Sequence, residues 1–247
     1  DNRVHGPAPP FLMKLLAFDT STESLSIAAQ HGERVITHSG AGGAQASAGL
    51  IPALRQVLAD AALPLDALDA LVFGRGPGSF TGVRTACSVA QGLAFGARGG
   101  AGLPVLPIDS LLAVAEDARQ RHGCTQVVAV LDARMDEVYV ARYAYDAGHW
   151  SASGDCSVCA PEAVAVPNGW TVAGNAQAVY GARLAPHAPH VQARPEAAAL
   201  LRLAPALLAQ GLALSADAAL PLYVRNKVAQ TTAERAAKAA QTAATAP

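Results

Sequence analysis

The sequence predicts a duplicated α/β fold of two lobes, each a mixed sheet covered by helices, and three observations predict it. Two apolar runs, KLLAFD and QVVAVLD, end in aspartates (Asp19 and Asp132) at corresponding places in the two halves, each followed by a polar turn and a second alternating strand. Strand-like runs then alternate with stretches of helical period in both halves. The 247 residues, 51% hydrophobic and 15% charged, supply apolar material for two cores.

From Met13 the chain reads as a three-stranded meander: an apolar strand ending at Asp19, a Ser/Thr turn, a second strand over 25–29, the turn QHGE and a third strand. Leu50, Ile51, Leu54, Val57 and Leu58 then fall on one face of a helix over about 45–62. LDALVFG returns as a buried strand, a second helix follows over about 80–96, and LPVLPID is a fifth strand. Asp109 and Ser110 are suitable caps for the linking helix LLAVAEDARQR. In the second half a strand begins at Val138, WTVAG is another, and helices are expected near 176–180 and over 196–210. An actin-like, ribonuclease-H-like architecture fits this order. The lobes divide as 13–110 and 111–229, with the last long helix free to pack back on the first. Residues 1–12 read as a disordered leader or cloning remnant, and 230–247 as a flexible Ala-rich tail with a mildly basic approach from Arg225 and Lys227 to Arg235 and Lys238.

Composition excludes several classes. A formal net charge of −1 argues against a protein that wraps nucleic acid through its own basic surface. No apolar run reaches the roughly 18 residues of a membrane span and no secretory signal is recognisable, so a cytoplasmic protein without a membrane partner is expected. Four cysteines (Cys87, Cys124, Cys156, Cys159) are too scattered for a disulfide framework, and the CSVC pair lacks the second ligand pair of a structural zinc. His31, His38, His122, His149, His187 and His190 are dispersed over hairpins, a helix end and loops, and no metal site is expected.

The segment GRGPGSFTGVRTA (74–86) poses the main question. A strand ending at Gly74 and feeding a helix near Phe80 aims backbone N–H groups and a helix dipole at one spot. Gly76 and Gly78 permit close approach, Ser79 can cap the helix, and Arg75 and Arg84 could add charge. The loop is neither a Walker A nor an in-register G-x-G-x-x-G. Spacing alone leaves two readings open, an anion cradle or a sharp strand-to-helix reversal. In the helix that follows, Gly82, Ala86, Ala90 and Ala94 form a ridge of small residues, flanked by Val83 and Cys87, on which a sheet or a neighbouring helix can lie close. No G-x-S-x-G elbow or Cys–His pair marks a nucleophile, and no catalytic residue is assigned.

The segments MKLLAFDTSTESLSIAA, GRGPGSFTGVR with AQGLAFG, LDARMDEVY and PLYVRNKVA together resemble the bacterial TsaB family, also called YeaZ, over about residues 13–229. The resemblance implies the actin-like (ASKHA) fold and a non-catalytic subunit that dimerises with its catalytic paralogue TsaD. With TsaE and a carbamoyl-adenylate made by TsaC, TsaD and its partner install threonylcarbamoyl on the adenosine beside the anticodon of tRNAs that read ANN codons. By this resemblance the two first-lobe helices build a bundle with TsaD or a second copy through Leu50, Ile51, Leu54, Val57, Leu58, Val83, Ala86, Cys87, Ala90 and Ala94. It also makes Asp19, Gly74, Arg75, Gly76, Gly78, Ser79 and Asp132 a vestigial nucleotide-side site. The chain then carries no cofactor of its own, ATP and metal sit on partner subunits, and tRNA is met only within the complex. Where the catalytic paralogue has metal-binding histidines on its first helix, AGGAQASAGLIP places Ala46. The rival readings are an independent actin-like ATPase or small-molecule kinase, resting on Asp19, Asp132 and the glycine turn, and a metalloprotease.

Overall fold

The computed structural model describes residues 13–42 and 46–225; the leader, the tail including Lys227, Arg235 and Lys238, and the side chain of Ala46 lie outside the described residues. Five strands, β1 (Lys14–Asp19), β2 (Ser24–His31), β3 (Arg34–Ala41), β4 (Ala70–Gly76) and β5 (Val105–Asp109), form a first sheet in the order β3-β2-β1-β4-β5. The meander is antiparallel, and β1, β4 and β5 run parallel. Period-2 alternation in β1 sends Leu16 and Phe18 to one face and Leu15 and Ala17 to the other. Helices α1 (Ala46–Asp60) and α2 (Phe80–Gly96) cover the first of these faces.

The second sheet repeats the plan. β6 (Gln126–Arg134) pairs antiparallel with β7 (Glu137–Asp146) and parallel with β10 (Thr171–Gly174), as β1 does with β2 and β4. β8 (His149–Ala152) and β11 (His190–Gln192) form the edges, and β9 (Ser157–Cys159) pairs with β7 beyond β8. These three short strands are absent from the sequence reading. They are three or four residues long and polar, so their pairing depends on neighbours brought from elsewhere in the chain.

Two helices bind the lobes together. α3 (Ser110–His122), which ends at the left-handed Gly123, buries Leu111, Val114, Ala115 and Ala118 on the second sheet. α5 (Ala197–Ala209) is last in sequence, after the short α4 (Ala176–Tyr180), yet it packs Leu200, Leu203 and Ala204 on the Leu15/Ala17 face of the first sheet. Glu116 of α3 gathers several bonds at the junction. It accepts two bonds from Arg119 (2.8 and 2.9 Å), one from Arg202 of α5 (2.8 Å) and one from the Trp150 indole of β8 (3.0 Å).

The expected caps of α3 have other partners. The Asp109 carboxylate caps nothing and pairs with Arg75, while the Ser110 hydroxyl donates to Asp19 (2.8 Å). Cap preference lost to charge-assisted bonds between strands.

Burial raises the Glu116 pKa, but the Arg119, Trp150 and Arg202 donors outweigh it and hold the carboxyl below the usual glutamate value. Its stabilising effect is therefore complete above the ordinary pKa and is lost as pH falls through the depressed one. Glu116→Ala leaves Arg202 and Trp150 without their acceptor and is expected to cost roughly 3 kcal/mol in urea denaturation at neutral pH, with the gap from the parent narrowing in acid.

Candidate functional site

The glycine turn serves as a seat for the β1–β2 turn. A Cβ on Gly74 would lie 1.7 Å from Asp19 Oδ2, and one on Gly82 would lie 1.9 Å from the Thr20 carbonyl oxygen. Nothing larger than hydrogen fits at either place. The contact is laced by hydrogen bonds: Thr20 Oγ1 donates to the Gly82 carbonyl (2.7 Å), and the Ser79 amide donates to the Ser21 carbonyl (2.7 Å). At Gly74 and Gly82 the missing Cβ admits a neighbouring part of the same chain.

Asp19 is consumed by the same contact. Its Oδ1 accepts from the Ser21 amide and hydroxyl (2.7 and 2.6 Å) and its Oδ2 from the Ser110 hydroxyl, all of them buried. Burial pushes its carboxyl up to about 6, against the bonds from Ser21 and Ser110.

Asp132 holds its own turn in the second lobe. It accepts from the Arg134 amide (2.9 Å) and the Tyr180 hydroxyl (2.8 Å), and its other oxygen lies 3.2 Å from the Arg134 guanidinium. Arg75 is paired with Asp109. Arg84 lies 3.7 Å from the Phe80 ring centroid and donates to the Tyr223 hydroxyl. The two aspartates on which an ATPase or kinase reading rests are thus committed to holding backbone turns.

Between the lobes lies a cleft of about 390 Å³. Of the seven residues proposed as a vestigial nucleotide-side site, Gly78, Ser79 and Asp132 line this cleft, while Asp19, Gly74, Arg75 and Gly76 do not. Val83, Leu131 and Leu222 give it an apolar part of its lining. Among the described residues no three His, Cys, Asp or Glu side chains come together to hold a metal. Cys156 and Cys159 pack into different core clusters, and His31, His122, His149 and His190 each bond a backbone carbonyl.

The small-residue ridge corrects the expected interface. Leu50, Leu54, Val57, Val83, Ala86, Cys87, Ala90 and Ala94 are all at most 4% exposed, and all of them except Val83, which lines the cleft, pack in the core beneath the first sheet. A sheet face must be covered, and small side chains let α2 lie close on β4 and β1. Of the ten residues proposed for the interface, Ile51 and Leu58 remain accessible, at 47% and half-buried.

These two belong to a second stripe, Ile51, Arg55, Leu58 and Ala62, which follows helical spacing along α1 and its C-terminal turn. With Leu65 and with Leu93 of α2 it lines an open groove of about 560 Å³, in which Arg55 is the only charged residue. Phe95 stands 75% exposed near the end of α2. The second stripe was readable in the sequence as the i, i+4, i+7, i+11 series from Ile51, but the stronger series through Leu50, Leu54 and Val57 overlaps it.

Comparison with known proteins agrees with this geometry. A family model described as "TsaD: tRNA N6-adenosine threonylcarbamoyltransferase" matches residues 42–241, which defines the class: a two-lobed α/β chain of the threonylcarbamoyladenosine proteins. The "tRNA threonylcarbamoyladenosine biosynthesis protein TsaB" of Escherichia coli K12 is 34% identical over 230 residues, covering 88% of this chain and 96% of that protein. The protein of the same description from Haemophilus influenzae is 47% identical over 131 residues, a match spanning about half the length of each (53%). "YeaZ from Pseudomonas aeruginosa" superposes with a TM-score of 0.79 at 40% identity, covering 85% of this chain and 99% of that one. A second solved structure, described as an uncharacterized protein with similarity to peptidase YEAZ from Pseudomonas aeruginosa, gives the same TM-score and identity. The chain belongs to the TsaB (YeaZ) family, and the duplicated actin-like fold read from its sequence is the fold it has.

Two expectations follow. Leu54→Asp and Ala90→Arg place charge at positions 1% and 0% exposed and should abolish cooperative thermal unfolding. The folded chain holds the Asp19 proton up to about pH 6, where the unfolded chain releases it near 3.8. The parent therefore loses stability as pH rises through that window, by roughly 3 kcal/mol at most. Asp19→Asn should lack this loss, and urea denaturation between about pH 4 and pH 7 should show it gaining on the parent.

Proposed function

We propose that this chain is a non-catalytic subunit of a tRNA threonylcarbamoyltransferase assembly, docking on a TsaD partner through the α1–α2 groove. The observation that carries this reading is the groove itself: an almost wholly apolar channel between two helices, bordered by Ile51 and Leu58, on the side of the molecule's first sheet that its own chain has already covered once. A fully covered sheet has no need of a second apolar stripe on the covering helices, and such a stripe has the composition of a helix-bundle seam. Support also comes from the structural bonds made by Asp19 and Asp132.

In this reading TsaD binds directly, TsaE joins the assembly, and tRNA is met only in the complex, in keeping with the chain's net charge of −1. ATP and metal reside on the partner subunits, and the assembly works in the cytoplasm. A second copy of the chain covers the same groove when TsaD is absent.

Ile51→Asp and Leu58→Asp introduce charge on the accessible stripe and leave the core beneath it in place. Each should weaken co-elution with TsaD by roughly a hundredfold in affinity, and threonylcarbamoyl transfer to tRNA should fall in step while thermal unfolding stays cooperative. Retention of the heterodimer by both variants would refute the assignment of the groove.

A further inference from the structure

We infer that residues 219–225 are a strap that latches the β6–β7 turn of the second lobe to α2 of the first and holds that turn in its left-handed form. The strap begins on α2, where the fully buried Ala219 offers its carbonyl to Cys87 Sγ (3.2 Å) and Gln91 Nε2 (2.9 Å). The Leu222 amide donates to the Arg75 carbonyl at the glycine turn (2.8 Å). Tyr223 accepts from Arg84 (2.7 Å), and its ring lies 5.9 Å from that of Phe80.

Two residues later the chain has crossed the cleft. Val224 packs against the core of the second lobe. Arg225 donates to the carbonyls of Ala133 (3.1 Å) and Arg134 (3.4 Å), pairs with the Glu137 carboxylate and touches the Met135 thioether (3.5 Å).

The turn so held is costly. Arg134, Met135 and Asp136 follow one another at φ of +60°, +58° and +66°, in a region that L-residues enter at a steric penalty, and no glycine relieves it. Hairpin turns of two left-handed residues normally carry Asn-Gly or Asp-Gly, whereas here Met135 and Asp136 lie between the paired Arg134 and Glu137. Persistence of such a run requires outside bonds that over-determine it. One set comes from Arg183, which donates to Asp136 (2.9 Å), and the other from Arg225. The strap thereby joins two features the fold otherwise keeps apart: α2, which also borders the apolar groove, and the turn that forms the far rim of the cleft. The inference does not depend on what occupies the groove.

Hydrogen exchange with mass spectrometry on the full chain tests it. In Arg225→Ala the amides of residues 133–138 should exchange roughly ten- to a hundredfold faster, as loss of charge-assisted bonds implies, while the amides of β1 and β4 keep their protection. Arg225→Lys, which restores a cation but not the fork, should recover part of the protection, and Glu137→Gln should lose part of it. Unchanged exchange in the turn of Arg225→Ala, or acceleration spread evenly over both lobes, would overturn the proposal. Should Arg225→Ala fail to fold, Arg225→Lys and Glu137→Gln decide alone: turn-specific acceleration upholds the latch, and its absence in both removes it.

Discussion

The first lobe is organised around a close approach of two backbones, the β1–β2 turn resting on the glycines that open α2. Thr20 and Ser21 lie so near Gly82 and Gly78 that their carbonyl oxygens occupy the space a Cβ would need. That contact sets the height of α2 over the sheet, and α2 in turn sets where α1 can lie and how wide the groove between them is. It also explains why a carboxylate sits in a dry site. Asp19 ends β1 at the one place where the Ser21 amide and hydroxyl and the Ser110 hydroxyl converge, and these donors tie the end of β1 to the start of the linking helix α3. Neutralising a buried acid near pH 6 is the physical consequence of placing it there for its geometry.

The repeated plan makes the contrast between the halves informative. In the second lobe, Asp132 has the same place at the end of β6 but remains near the cleft, bonded by Arg134 and Tyr180. The first lobe seats its turn on glycines and needs no further support. The second lobe places one glycine, Gly174, at the matching end of β10, where a Cβ would lie 1.8 Å from the Val130 carbonyl oxygen, and its turn of Arg134, Met135 and Asp136 is supported by guanidinium groups from Arg183 and Arg225. There the reversal from β10 into α4 reaches β6 through Asn175, whose side-chain oxygen accepts from the Asp132 amide (2.9 Å).

Much of the fold was legible because hydrophobic period is a local property. Residues 80–96 read as a helix and formed one, and the two runs ending in Asp19 and Asp132 became the paired first strands of the two sheets. β8, β9 and β11 were not legible, since three or four polar residues become a strand only when a neighbouring edge arrives. The candidate site was legible in outline and misread in orientation. A ridge of Gly82, Ala86, Ala90 and Ala94 states that something lies close, and it is silent on whether that neighbour is the chain's own sheet or another polypeptide. Only the burial of Leu50, Leu54 and Val57 beside it settles that the ridge faces inward.

The same burial gives the outer stripe its significance. α1 has already matched its apolar face to the sheet through Leu50, Leu54 and Val57, so Leu58 packs only at the edge of that core and Ile51 stands 47% exposed beside it. An isolated exposed leucine needs no explanation, because folded surfaces contain many. Here Ile51 and Leu58 on one helix meet Leu93 on the next and Leu65 on the connecting turn, and the four share one concave surface with a single charged neighbour, Arg55. Residues from three separate elements converging on one apolar channel cannot arise from the periodicity of any one helix. They follow from the spacing of α1 and α2, and hence from the glycine contact that sets α2 in place.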